Sequence, residues 1–221
     1  IGVSAIDTLV VSHGDQDHAG GLSVLVEQYH PARIIAGEPD RIPSALHNTV
    51  RGCSGHPSLR VGQVAVEFWQ APVRMAGDDA NDRSCVVILE YAGHQVLLPG
   101  DISRTTEAYL LKGHPGLADR RGELTLVAPH HGSKTSSGPG LVRALLPERV
   151  IFTAGYRHRY GHPHPDVVGR YRRAGSELLN TATSGAIYLE LTARGSEVTR
   201  WRQGAPFWIR PPEGVSPVSS E

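Results

Sequence analysis

An excess of charge of either sign is missing from this chain. Its 22 Lys and Arg residues balance 22 Asp and Glu, for a formal net charge of zero over 221 residues. That excludes a protein that grips nucleic acid by bulk charge, although a local basic groove stays open. Long apolar runs are missing too. No stretch reaches the ~18 apolar residues of a membrane span, and no secretory signal is visible. Cysteine is scarce. Cys85 lies in the apolar run Cys85–Leu89 and reads as a small core residue, Cys53 lies in a loop, and a bond between these two is allowed but not indicated. Disorder is excluded by 39% hydrophobic residues, and the length suits one domain with a real core. The first residue is Ile1 and a strand follows almost at once, so the chain reads as a fragment of something longer.

Histidine, by contrast, is plentiful. There are 12, and imidazole is the commonest metal ligand. Four acidic or imidazole side chains fall within six positions of the segment S-H-G-D-Q-D-H-A-G-G, residues 12–21: His13, Asp15, Asp17 and His18. Residues 6–11 before it read as a buried strand, and Leu22, Leu25, Val26 and Tyr29 after it recur at helical spacing. The cluster therefore sits between a strand and a helix, where so many polar groups would be costly without a cation. Imidazole and carboxylate together suit zinc, manganese or iron.

Short apolar runs and helical patterns alternate along the rest. Strands are expected at 33–36, 64–68, 124–128, 150–154, 178–181, 186–191 and 198–201, and a hairpin at 84–91 and 95–98 turning near Gly93. Helices are expected at 105–112, 141–146 and from Pro165 to about Ala174. Residues 37–60 read as a long loop with one helical turn, residues 1–205 as one domain, and 206–221 as a loose tail rich in Pro, Ser and Gly. Two sheets covered outside by helices would accommodate this order.

Three further clusters stand at predicted strand ends. In Leu97-Leu98-Pro99-Gly100-Asp101 the carboxylate emerges at a sheet edge, and one carboxylate can bridge two cations. In Pro129-His130-His131-Gly132-Ser133-Lys134 one histidine can bind metal while the other orients a ligand or meets substrate, and Ser133 with Lys134 can hold a phosphate. In Tyr160-Gly161-His162-Pro163-His164-Pro165, His162 is the better ligand candidate and His164 falls near a helix cap. Arg157, His158 and Arg159 lie between Tyr156 and Tyr160, an interleaving that suits single-stranded DNA by charge and stacking.

The segment His13-Gly14-Asp15-Gln16-Asp17-His18 resembles the signature loop of the metallo-β-lactamase superfamily, usually H-x-H-x-D-H, with Asp15 in place of the second histidine. With Asn81-Asp82-Arg83-Ser84, Pro-Gly-Asp101, the His130-His131 loop and the His162 loop in that order, the chain is similar to the C-terminal domain of ComEC-type competence proteins over residues 5–200. The resemblance implies an α/β fold, the αββα metallo-β-lactamase sandwich, here lacking its first strands. It implies two divalent metal ions, Zn or Mn, and a hydrolase acting on incoming DNA. Further implied are a membrane-channel portion of the same parent protein as partner and a place at the inner membrane, on its outer side. The family's upstream D-V-G-Q-G-like segment has no counterpart here. Its mid-chain histidine has none either: His47 and His56 lack a strand-end setting, and Asn81 and Ser84 occupy that region.

On this reading His13, Asp15 and His130 or His131 hold one cation, Asp17, His18 and His162 the other, and Asp101 bridges them. Asp17 doubles as proton acceptor, and Lys134 or the second histidine of the pair, His131, steadies the scissile phosphate. Two other functions share the pattern: hydrolysis of a small ester, lactone or thioester on the same scaffold, and a non-catalytic module that guides DNA.

Overall fold

The apolar runs pair into two sheets that face each other. The structure is a computed structural model, and it describes residues 4–46, 49–72, 79–156 and 160–203. The first sheet is parallel, with strands β1 (Thr8–Val11), β2 (Arg33–Ala36) and β3 (Val50–Gly52) in that order. Two helices follow β1: the single turn α1 (Gln16–Ala19) and α2 (Leu22–Tyr29). Strand β2 shows why both of its faces must be covered. Ile34 and Ala36 pack with Leu22 and Val26 of α2, whereas Ile35 between them packs with Cys53, Cys85 and Phe68 on the other side. All three are at most 1% exposed, so the alternation of a strand is buried twice over.

The second sheet has seven strands: β4 (Leu59–Val61), β5 (Val64–Trp69), β6 (Val86–Tyr91), β7 (His94–Leu98), β8 (Leu124–Val127), β9 (Arg149–Phe152) and β10 (Glu177–Asn180), in the order β10-β9-β8-β7-β6-β5-β4. Pairing is antiparallel from β4 to β7 and parallel from β7 to β10. Helices α3 (Arg104–Gly113), α4 (Pro139–Leu145) and α5 (Pro165–Arg173) cover its outer face. Leu110, Leu141, Leu145, Val167 and Tyr171 from these helices pack onto Val86, Leu97, Leu126, Val150 and Phe152, forming the main core. The layers run helix, sheet, sheet, helix, as expected. A short helix α6 (Thr181–Ser184), capped by the Asn180 side chain, leads to a separate hairpin of β11 (Ile187–Thr192) and β12 (Gly195–Arg200).

Two expectations are corrected. The stretch 37–60 is not one loop, for it contributes β3 and the start of β4 besides two turns of 3-10 helix at Pro39–Arg41 and Ser44–Leu46. Strands of three residues carry too little alternation to be seen, and they exist because β2 and β5 pair with them. Cys53 and Cys85 are joined in a disulfide with their Cα atoms 5.6 Å apart. Cys53 follows β3 and Cys85 precedes β6, so only the packing of one sheet on the other brings them together. The predicted tail, Arg157–Arg159 and His47 lie outside the described residues.

The bond closes a chain separation of 32 residues, for which loop entropy gives about 3–4 kcal/mol. Cys53→Ala/Cys85→Ala is therefore expected to lower the unfolding free energy by about that amount, and reductant should carry the parent to the variant's midpoint. Denaturant titrations with and without reductant check this. Coincident parent curves would mean that the bond does not form.

Buried Glu107 on α3 shapes the loop beyond His131. It is 2% exposed and accepts the backbone N–H groups of Ser137 and of Gly138, the latter at 2.8 Å. Burial pushes its carboxyl up to about 7, against the pull of those N–H groups and of Arg104 and Arg170. A folded value above the ordinary 4.5 means that its contribution to stability is complete below that pH and is lost as pH rises through about 7. The loss is on the order of 3 kcal/mol. Glu107→Gln should flatten this part of the stability profile between pH 5 and pH 8. Parallel pH profiles for the two proteins would refute it.

Candidate metal centre

The C-terminal ends of β1, β2, β7 and β8 meet at one rim of the intersheet cleft. Ser12 follows β1, and its carbonyl accepts the Cys85 N–H at 2.8 Å, stitching the signature loop to the start of β6. Buried Glu38, after β2, accepts the Gly14 N–H at 3.1 Å and faces Arg41 and Arg83 at 3.4 and 3.6 Å. Arg41 also lies 3.3 Å from Asp15. These contacts set the loop before α1 presents Asp17 and His18.

From the second sheet, β7 leads to Gly100 and Asp101. Gly100 has φ +63, and a Cβ there would stand 2.7 Å from the Ser84 side chain, so the turn requires glycine. Asp101 donates its N–H to Ser84 Oγ at 3.0 Å and is 5% exposed. Strand β8 leads to His130 and His131, both in the left-handed region at φ 51 and 53. Two adjacent non-glycine residues there are strained, a condition that clusters at functional sites. The His130 N–H bonds the Gly100 carbonyl at 3.1 Å, which holds the two loops together.

Asp101 is the centre of the arrangement. Its Oδ1 lies 3.3 Å from His18 Nε2, and its Oδ2 lies 3.7 Å from both His130 Nε2 and His131 Nε2. Asp17 Oδ2 lies 3.3 Å from His131 Nε2 and 3.8 Å from His18 Nε2. Asp15 Oδ2 lies 3.6 Å from His13 Nε2. Among the described residues two groups have donor atoms within 4.8 Å of one another: His13, His18 and Asp101, and Asp17, His18 and His131.

These residues fit divalent cations. His13 is 1% exposed and its Nε2 has no hydrogen-bond partner among the described residues, an orphaned polar atom that a cation would satisfy. His18 and His131 present Nε2 to each other at 3.3 Å. His18 Nε2 with Asp101 Oδ1, and His131 Nε2 with Asp17 Oδ2, each stand 3.3 Å apart, close to the ~3.4 Å between two ligands held tetrahedrally at about 2.0–2.1 Å from one ion. Imidazole and carboxylate donors match zinc or manganese.

The charges support the same assignment. Burial acts to raise the Asp101 pKa, but the His18 hydrogen bond and the charges of His18, His131 and His130 outweigh it and hold the carboxyl below its ordinary value. For His18 burial acts to lower the pKa, and Asp101, Asp17 and Asp15 together raise it above the ordinary value. His13 is lowered, first by burial and then by the charge of His18.

Among the predicted site residues, His13, Asp15, Asp17, His18, Asp101, His130 and His131 are brought together. His162 belongs to neither group. Its ring lies 5.8 Å from that of His130 and stacks on Tyr160 at 6.1 Å. The structure puts His131, where the sequence reading had His162, against Asp17 and His18, because the loop after β9 enters beyond His130. His164 caps α5, its Nδ1 accepting the Asp166 N–H at 3.2 Å. Lys134 is exposed and makes no ion pair with the cluster, among the described residues. His56 packs edge-on against Phe68, away from the centre.

Sequence reasoning missed Ser12, Glu38 and Thr153. Ser12 and Thr153 meet ring nitrogens, and Glu38 holds the loop backbone. A serine directly before the signature histidine was a visible signal for the first. The other two had none, for Glu38 stands 24 positions from the amide it accepts and Thr153 stands 22 from His131.

Comparison with known proteins bears on this geometry. Residues 1–155 match the family model of the metallo-beta-lactamase superfamily. The chain is 34% identical over 211 residues to competence protein ComA of Neisseria gonorrhoeae, covering 96% of this chain and 29% of that protein. It is 29% identical over 198 residues to ComE operon protein 3 of Bacillus subtilis (strain 168), covering 84% of this chain and 25% of that protein. The chain thus spans between a quarter and three tenths of these relatives' length. Igni18, a metallo hydrolase from the archaeon Ignicoccus hospitalis, shares the fold at a TM-score of 0.54 and 12% identity, over 88% of this chain and 80% of that one.

Proposed function

The chain belongs to the metallo-β-lactamase superfamily, and from that premise we propose that it is a metal-dependent phosphodiesterase that cuts DNA as one domain of a longer competence protein. The observation that carries this reading is Asp101, a buried carboxylate whose two oxygens face His18 on one side and His130 and His131 on the other. On this reading residues 1–205 are the hydrolase domain.

His13, His18 and Asp101 would hold one cation, and Asp17 and His131 the second. His18 has a single free lone pair at Nε2, so it serves one ion, while Asp101 reaches both. Cations held there would supply Lewis acidity toward a phosphoryl oxygen and activate water near neutral pH. Asp17, exposed at the mouth, would take a proton at Oδ1, the oxygen turned away from His131. His130 faces the outer side of Asp101, next to where the scissile phosphate would sit, and Lys134 on the same loop meets a flanking phosphate. Exposed Tyr156 and Tyr160 offer ring faces for the bases of a single strand.

Among the described residues no helix is long and apolar enough to cross a membrane, so membrane attachment falls to the rest of the parent protein. The disulfide supports a location on its oxidising, outer face.

One observation favours a second reading. Val10, Val87, Leu98 and Val127 line an apolar side of the cleft, of about 340 Å³, that also touches Asp101 and His131. A cavity of that size suits the acyl group of a small ester or thioester. Purified protein with Mn²⁺ or Zn²⁺ is to be assayed on single-stranded DNA and on a chromogenic ester. Chelator-sensitive DNA cleavage is the expected result. Ester turnover without DNA cleavage would favour the second reading, and DNA binding without cleavage under any metal would leave a guiding module.

A further inference from the structure

Hydroxyl groups stand at Nδ1 of every imidazole in the cluster. Ser12 Oγ lies 3.2 Å from His13 Nδ1 and 2.9 Å from His18 Nδ1. Ser84 Oγ is 3.3 Å from His13 Nδ1, Thr153 Oγ1 is 3.0 Å from His131 Nδ1, and Thr135 Oγ1 is 3.4 Å from His130 Nδ1. The carboxylates all lie on the Nε2 side. Among the described residues Ser12 alone touches two rings.

We propose that Ser12 is a shared positioning residue, whose Oγ accepts the Nδ1–H of both His13 and His18 and so keeps that ring proton at Nδ1, which leaves Nε2 for a cation at His13 and, once the proton that His18 Nε2 shares with Asp101 has gone, at His18. A hydroxyl oxygen has two lone pairs, so it can accept from both rings at once. In the opposite tautomer His13 would bury an Nε2–H donor whose nearest carboxylate oxygen, Asp15 Oδ2, stands 3.6 Å away, outside hydrogen-bond reach, which costs about 1–3 kcal/mol. The hydroxyl itself is fixed from two sides. The Ser12 carbonyl is tied to the Cys85 N–H at 2.8 Å, and Gly100 comes so close that a Cβ there would stand 3.1 Å from Ser12 Cβ. Outer partners of this kind orient metal-binding imidazoles. Serine does so without adding a negative charge behind the ring.

The inference rests on the metal-centre reading, and the test separates the two. Imidazole ¹H–¹⁵N correlation spectra of the metal-free protein report each tautomer, and competition with a chelator reports Zn²⁺ affinity. For Ser12→Ala we expect mixed tautomers at His13 and His18, Zn²⁺ affinity lower by about 10–100-fold, and an unchanged melting temperature without metal. Ser12→Thr should keep the parent tautomers, and Thr153→Ala should disturb His131 alone. Parent-like tautomers and affinity in Ser12→Ala would overturn the assignment. So would a melting temperature that falls in step with affinity, since that marks a merely structural role. A parent that takes up no cation would overturn the metal-centre reading itself, and the metal-free spectra would still decide whether Ser12 sets the tautomers.

Discussion

Asp101→Ala should lower DNA cleavage by about 1000-fold, roughly 4 kcal/mol of transition-state stabilisation, and reduce the number of cations bound. Asp15 and Asp17 are far more exposed, and the two oxygens of Asp101 meet three Nε2 atoms. His18 should then release its proton at a lower pH, since Asp101 is the main group holding it up. Cleavage rates, metal analysis and an NMR titration of His18 check the three effects. Cleavage within tenfold of the parent would sink the assignment of Asp101 as the bridging carboxylate.

Gly37→Ala is expected to be the most damaging small change to the fold. Gly37 follows β2 where the two sheets touch, and a Cβ there would stand 2.2 Å from the Ser12 carbonyl oxygen, 2.3 Å from that of Arg83 and 2.8 Å from the Cys85 nitrogen. All three are backbone atoms, so no rotamer relieves the clash. The Gln70 amide ties the same point together by donating to the Gly37 carbonyl at 2.6 Å and the Arg83 carbonyl at 2.5 Å. Separating these strands should cost about 3 kcal/mol or more. Metal uptake should fall with it, because Ser12 and Ser84 flank the displaced segments. Gly116, where nothing lies within 4 Å of a built Cβ, serves as the control, and Gly116→Ala should melt close to the parent. Equal denaturant midpoints for Gly37→Ala and Gly116→Ala would mean that the sheets do not meet at Gly37.

Legibility differed between elements for physical reasons. Strand β2 was readable to the residue, because four residues that are apolar after the first carry their burial in composition. Helix α5 was readable from Pro165, whose fixed φ suits a first turn. Strands β3 and β4 were not, since three residues paired at an edge leave no periodic trace. The signature loop and Asp101 stood out because their residue types are costly in any other setting.

Which histidine faces which carboxylate lay beyond sequence. His130 and His131 are neighbours in the chain and His162 looks equivalent by motif. The left-handed turn at 130–131 is what swings His131 toward Asp17 and leaves His162 behind His130. The disulfide shows the same division, because a pair 32 residues apart is joined only when one sheet lies on the other. By itself the sequence determined the alternation of strands and helices and the cluster of donor residue types, since those follow from local composition and spacing, while its motifs in order carried the resemblance that implied the family and its layers. The tertiary structure alone decided the partners of each ring, the hydroxyls behind them and the Gly37 crossing. Those depend on distances between segments far apart in the chain, which the packing of the two sheets sets.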